Sequence, residues 1–129
     1  MTQAQALTIL KTGANVFLTG EPGAGKTFVI NQYVSHLKAC GVEVAITAST
    51  GIASTHIGGM TIHSWSGIGV REMLTPQDLD KIASSEYISR RVRRAKVLVI
   101  DEISMLGPNT IDMVDMVCKE VRQNTEAFG

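Results

Sequence analysis

Apolar positions along the 129-residue chain change their spacing several times, and each change marks a predicted element. Leu7, Ile9 and Leu10 fit a short helix ending near Gly13, after which Asn15 to Thr19 reads as a buried strand bounded by glycines. From Lys26 to Cys40 the apolar residues Phe28, Val29, Val34 and Leu37 fall at mixed three- and four-residue spacing, and Gly41 supplies a stop signal. This segment is predicted to be an amphipathic helix. Val42 to Thr47 returns to β-branched, apolar character, so strand, helix and strand form a crossover unit that demands parallel strands.

Between Ala48 and Gly69 the chain is dense in Gly, Ser, Thr and His, which predicts working loops and a short helix start. Pro76 suits a first helical turn, Leu79, Ile82 and Ala83 continue it, and a second polar helix ends near Arg94; both read as surface helices. Val97 to Ile100 is continuously apolar, the pattern of a strand covered on both faces, and it ends at Asp101-Glu102. After Pro108 a helix carries Ile111, Val114, Val117 or Cys118, and Val121 on one face, with Met113 and Met116 as core filler. The predicted architecture is an α/β three-layer parallel sheet, incomplete as it stands. No repeat, low-complexity tract or linker divides it.

Composition narrows this picture. The length fits one modest domain or part of one, and 44% apolar residues can support a packed core. No apolar run approaches the roughly 20 residues that cross a bilayer, and Met1 to Gly20 does not read as a signal peptide, so a cytoplasmic setting is expected. Cys40 and Cys118 are far apart and lack metal-site spacing, so both are expected to be reduced core cysteines. Twelve basic residues balance twelve acidic ones, so any contact with nucleic acid must be local.

Gly20-Glu21-Pro22-Gly23-Ala24-Gly25-Lys26-Thr27 satisfies GxxxxGK[ST] between a predicted strand and a predicted helix, the context a phosphate-binding P-loop requires. Glycines let the backbone N–H groups turn inward around phosphate, with the positive end of a helix dipole beneath. The nucleotide-binding set is therefore Gly20, Gly23, Ala24, Gly25, Lys26 and Thr27, with Phe28 following; Lys26 reaches the outer phosphates and Thr27 ligates magnesium. Asp101 and Glu102 end the strand Val97 to Ile100 in the manner of a Walker B segment spanning 97–102. Asp101 would hold magnesium opposite Thr27, and Glu102 would orient and deprotonate the attacking water. ATP and Mg2+ are the implied cofactors, and Lys26, Asp101 and Glu102 the catalytic set. Ser104 serves as well as a cap or turn residue and is assigned no catalysis.

The segment 47–69 is more specific. Thr47-Ala48-Ser49-Thr50-Gly51-Ile52-Ala53 and Gly59-Met60-Thr61-Ile62-His63-Ser64-Trp65-Ser66-Gly67-Ile68-Gly69 closely resemble the two DNA-contacting motifs of PIF-type helicases, in the RecD-like branch of superfamily 1. The resemblance runs from Thr2-Gln3-Ala4-Gln5-Ala6-Leu7, similar to that family's adenine-reading glutamine motif, to the Asp-Glu-Ile-Ser-Met run at 101–105. By spacing to the P-loop Gln3 is the better match, with Gln5 as the fallback. The resemblance implies a RecA-like fold and single-stranded DNA contacts from Ser49, Thr50, Gly51 and His63. It further implies an ATP-dependent helicase moving 5′ to 3′ on single strands and unwinding duplex in DNA repair and recombination. Its partners would be single-stranded DNA and DNA junctions; it would work as a monomer with no membrane attachment.

Ser49 or Thr50 also suits a helix N-cap, and Trp65 read alone is a core residue. Arg90, Arg91, Arg93, Arg94 and Lys96 form a basic cluster that could follow a phosphate backbone; placement at a helix C-terminus is the preferred reading. His36, His56 and His63 lack the company of other ligands, so no metal beyond magnesium is assigned. Residues 1–129 are expected to be part of the first RecA-like motor domain, inactive alone, because three strands leave an open edge and the family's later motifs are missing. The rival readings are another P-loop ATPase, of RecD-subunit or AAA type, and a non-catalytic nucleotide-binding module.

Overall fold

The computed structural model describes residues 2–19, 25–51 and 59–128. The chain divides into two compact units, Met1–Glu43 and Val44–Gly129.

In the first unit, helix α1 (Gln3–Leu10) starts at a capping box: the Thr2 hydroxyl accepts from the Gln5 N–H at 3.1 Å, and the Gln5 side-chain oxygen accepts from the Thr2 N–H at 2.8 Å. Helix α2 (Lys26–Ala39) buries Val29, Tyr33, Val34 and Leu37, and α1 buries Ala6 and Leu10 against it. Phe28 was expected on the apolar face but is 53% exposed. Asn15 to Thr19 differs from the predicted strand: it pairs with no strand among the described residues. A strand exists only through a ladder partner, and the described residues of this unit contain no other strand. Cys40 likewise departs from its expected core position. Helical phase places it three residues after buried Leu37, but α2 stops at Ala39, and Cys40 is the exposed C-cap residue.

The second unit holds a three-stranded parallel sheet of β1 (Val44–Ala48), β2 (Met60–Thr61) and β3 (Val97–Asp101), in the order β2-β1-β3. Val44 to Ala48 pairs in step with Val97 to Asp101, and the buried Thr47 hydroxyl donates to the Val99 carbonyl at 2.8 Å, tying the central strand to β3 by a side chain as well. Helices α3 (Ile62–Ser66), α4 (Pro76–Ser84), α5 (Glu86–Arg94) and α6 (Pro108–Arg122) complete the unit, with a short 3-10 turn at Ile103–Met105.

The core gathers Ile62, Trp65, Ile68, Ile82, Val92, Val114, Val117 and Cys118 around the sheet face that carries Ala45, Leu98 and Ile100. Trp65 is a core residue, and α4 and α5, read from sequence as surface helices, each send one apolar residue, Ile82 and Val92, fully into that core. Met113 fills the core as expected, whereas Met116 points outward at 40% exposure. Thr75 and Asp78 form a capping box that starts α4, with Pro76 in its first turn.

Candidate nucleotide and nucleic-acid sites

Gly20, Gly23 and Ala24 of the predicted P-loop lie outside the described residues, while Gly25, Lys26 and Thr27 lie within them. Gly25 is the N-cap of α2 and adopts φ +88°, a left-handed conformation that costs an L-residue about 1–2 kcal/mol. A Cβ at this position would also collide with the Gln3 side-chain amide. Glycine is thus favoured by the backbone conformation, and the side chain lying over it, exposed and free to shift, is that of the glutamine singled out by spacing. Gln5, the fallback, has its side chain committed to the α1 cap.

No side-chain hydrogen bond caps the start of α2 among the described residues, and a positive helix dipole end of this kind suits phosphate. Lys26 and Thr27 form its first turn, Thr27 exposed, and Phe28 with Leu7 lines an open groove along α1 and α2. These residues fit a nucleotide: glycine geometry and a helix end for phosphate, an amide and an aromatic ring for a base.

In the second unit, Asp101 ends β3 half-buried, and its Oδ1 accepts the Glu102 N–H at 2.9 Å. Glu102 is exposed and has φ 53° and ψ 44°, left-handed values rare for a residue with a side chain. Gln123 and Phe128 share this positive φ, and Glu102 is the one that directly follows a strand ending in a carboxylate. The Thr27 hydroxyl and Asp101 carboxylate are hard oxygen donors appropriate to magnesium. They belong to different units.

Of the predicted DNA contacts, Ser49 follows β1, and its N–H donates to the Asp101 carbonyl at 3.2 Å. The predicted nucleic-acid segment and the strand that ends at Asp101 are therefore joined by one hydrogen bond. Ser49 is buried, with its hydroxyl unpartnered among the described residues; Thr50 is half-buried and Gly51 exposed. Ile52 to Gly58, including His56, lie outside the described residues. His63 is half-buried on α3, which starts where the Thr61 hydroxyl accepts the Ser64 N–H at 3.2 Å.

The basic cluster is mostly engaged with helix ends. Arg93 donates to the Val121 carbonyl at the end of α6, and Arg122 of α6 donates to the Val92 and Ala95 carbonyls at the end of α5. The two C-terminal ends thus cap each other reciprocally, each placing a cation at a negative dipole end. Arg90 pairs with Glu86 on the surface. Arg91 reaches α3, and so does Arg71, a residue that sequence alone did not mark.

Cys118 is 3% exposed, and its thiol is pushed up to about 11 by burial, with Asp115 nearby adding to the shift. No group of three or more metal-ligating side chains occurs among the described residues, nor is any described helix long and apolar enough to cross a membrane.

The chain's similarities to known proteins agree with this geometry. The family profile described as PIF1-like helicase matches residues 2–129. The ATP-dependent DNA helicase Pif1 of Psychrobacter sp. is 53% identical over 129 residues, covering 100% of this chain and 20% of that protein. The ATP-dependent DNA helicase RRM3 of Saccharomyces cerevisiae is 42% identical over 123 residues, covering 94% of this chain and 17% of the relative. The chain thus spans about a fifth of the length of these curated relatives. The crystal structure of Pif1 helicase from Candida albicans superposes with a TM-score of 0.90 at 33% identity, covering 98% of this chain and 29% of that one. A Bacteroides Pif1 helicase in complex with ADP-AlF3 and single-stranded DNA gives 0.83 at 33% identity, with the same two coverages.

Proposed function

Because the chain belongs to the PIF1-like helicase family, we propose that it forms the nucleotide-binding part of an ATP-dependent DNA helicase that moves 5′ to 3′ on single strands. The observation that carries this reading is the juxtaposition of Gln3 with left-handed Gly25 at the uncapped start of α2. It joins a base-reading amide to a phosphate-binding helix end, next to Lys26 and Thr27. Lys26 would neutralise charge on the outer phosphates of ATP bound there, and the Thr27 hydroxyl and the Asp101 carboxylate are the groups that would hold magnesium. Glu102 takes the proton of the attacking water.

Single-stranded DNA lies along Thr50, Gly51 and His63, with Ser49 linking that segment to Asp101 through its backbone. This reading is supported by the Bacteroides relative, which carries both a nucleotide analogue and single-stranded DNA. The test is unwinding by the full-length protein of partial duplexes with either a 5′ or a 3′ single-stranded tail. Activity on the 5′-tailed substrate alone is expected; unwinding of the 3′-tailed substrate alone refutes the direction.

A further inference from the structure

Helix α3 has five residues, too few to hold together alone, and like any helix it leaves its last carbonyls without internal partners. The structure supplies those partners from two arginines distant in sequence. Arg91 Nε donates to the Trp65 carbonyl at 2.9 Å, and its Nη2 donates to the Ser64 carbonyl. Its guanidinium also stacks on the Tyr87 ring, 4.9 Å from the centroid. From the other side Arg71 Nη1 donates to the Gly67 carbonyl at 3.0 Å and to the Ile68 carbonyl at 3.2 Å. Arg71 is itself held by Asp78 at 3.7 Å, the residue that closes the α4 capping box.

Between the two forks sits Gly67 at φ +81°, where a Cβ would run into the Ile88 side chain. The Gly69 N–H closes the turn onto the His63 carbonyl at 3.2 Å. Every carbonyl from His63 to Ile68 except that of Ser66 thus receives a named donor. The His63 ring, by contrast, has no hydrogen-bond partner among the described residues. The backbone beneath His63 is fixed while its side chain is left for another ligand.

We propose that Arg91 and Arg71 are positioning residues for single-stranded DNA: they clamp the turn that presents His63 and do not themselves contact phosphate. The inference rests on the reading that His63 touches DNA. At Arg91 a guanidinium is needed because Nε and Nη2 of its planar fork satisfy two adjacent carbonyls at once, which an ammonium on a flexible stem does not reproduce; Arg71 makes both of its bonds through Nη1 alone.

The test measures single-stranded oligonucleotide affinity by fluorescence anisotropy across a salt series, using the full-length protein and the variants Arg91→Lys, Arg91→Met and His63→Ala. Clamping predicts that Lys and Met weaken binding alike, about tenfold, with the salt slope and nucleotide affinity unchanged, and that Arg91→Met adds no further loss in the His63→Ala background. A phosphate contact predicts instead that Lys retains affinity and Met lowers the salt slope by about 0.7, and this outcome overturns the proposal. If His63→Ala weakens binding while neither Arg91 variant does, the clamp falls and the His63 reading stands. If His63→Ala leaves binding unchanged, that reading falls and the clamp with it. Should Arg91→Met lose nucleotide binding through misfolding, Arg71→Met decides: about tenfold weaker DNA binding at unchanged salt slope supports the clamp, and unaltered affinity refutes it.

Discussion

Glu102 combines a strained backbone with the proposed chemistry, and two substitutions separate them. In the left-handed region a side chain costs about 1–2 kcal/mol, which Glu102→Gly relieves. Glycine also gives the unfolded chain freedom worth about 0.4–1 kcal/mol. The bond from the residue 102 N–H to Asp101 Oδ1 is a backbone donation and survives the change. The carboxylate is exposed and donates no packing. The net is a gain of about 0.5–1 kcal/mol for Glu102→Gly, against no gain for Glu102→Gln, which keeps the strain.

Urea unfolding of the chain measures the stability difference, and steady-state phosphate release by the full-length protein measures turnover. Both variants are expected to bind ATP and to lose hydrolysis by at least about 100-fold, the lower end of what a positioned general base contributes. A destabilised Glu102→Gly would refute the strain argument. Retained turnover in Glu102→Gln would refute the base assignment.

Other expectations are simpler. On the proposed reading Lys26→Ala should remove tight nucleotide binding by calorimetry while leaving the chain folded by circular dichroism, because Lys26 is not among the residues that α2 buries. Ile62, fully buried, should cost about 1 kcal/mol as Ile62→Val and about 3 kcal/mol as Ile62→Ala in urea unfolding. A maleimide should label Cys40 in the native protein and Cys118 only after unfolding, as read by peptide mass mapping. Because the folded Cys118 thiol sits at about 11 against an ordinary 9.0, folding favours its protonated form; that stability is complete below pH 9 and is lost as pH rises through about 11. Cys118→Ala should remove this alkaline loss in unfolding curves recorded between those values.

What was legible in the sequence follows from how local each feature is. The run Val97 to Ile100 before two carboxylates, the apolar spacing of α2 and α6, and the proline start of α4 all carry their signal within a few residues, and the structure has them within a residue or two. Strand β2 is two residues long, too short for any period, whereas α3 is the short helix expected in the Gly- and Ser-rich stretch, begun by its Thr61 cap and ended at Gly67. Asn15 to Thr19 is apolar enough for a strand, but its sequence cannot supply a ladder partner. Cys40 follows the helical phase and fails only because the helix ends one residue earlier.

At the site, spacing prefers Gln3 to Gln5, and the structure shows the Gln5 side chain engaged in the α1 capping box. Arg91 was visible only as one charge among five, and Arg71 not at all. Their bonds to α3 join a side chain to backbone carbonyls, the Arg91 pair across 26 and 27 residues, and such pairs leave no pattern in composition or period.

On the proposed function, the full-length protein couples single-stranded DNA binding to ATP hydrolysis. The direct measurement is the rate of ATP hydrolysis by the full-length protein with magnesium, with and without a single-stranded oligonucleotide. Hydrolysis that rises at least about tenfold with the oligonucleotide, and vanishes in both conditions for Glu102→Gln, is the predicted result. A rate indifferent to single-stranded DNA would contradict it.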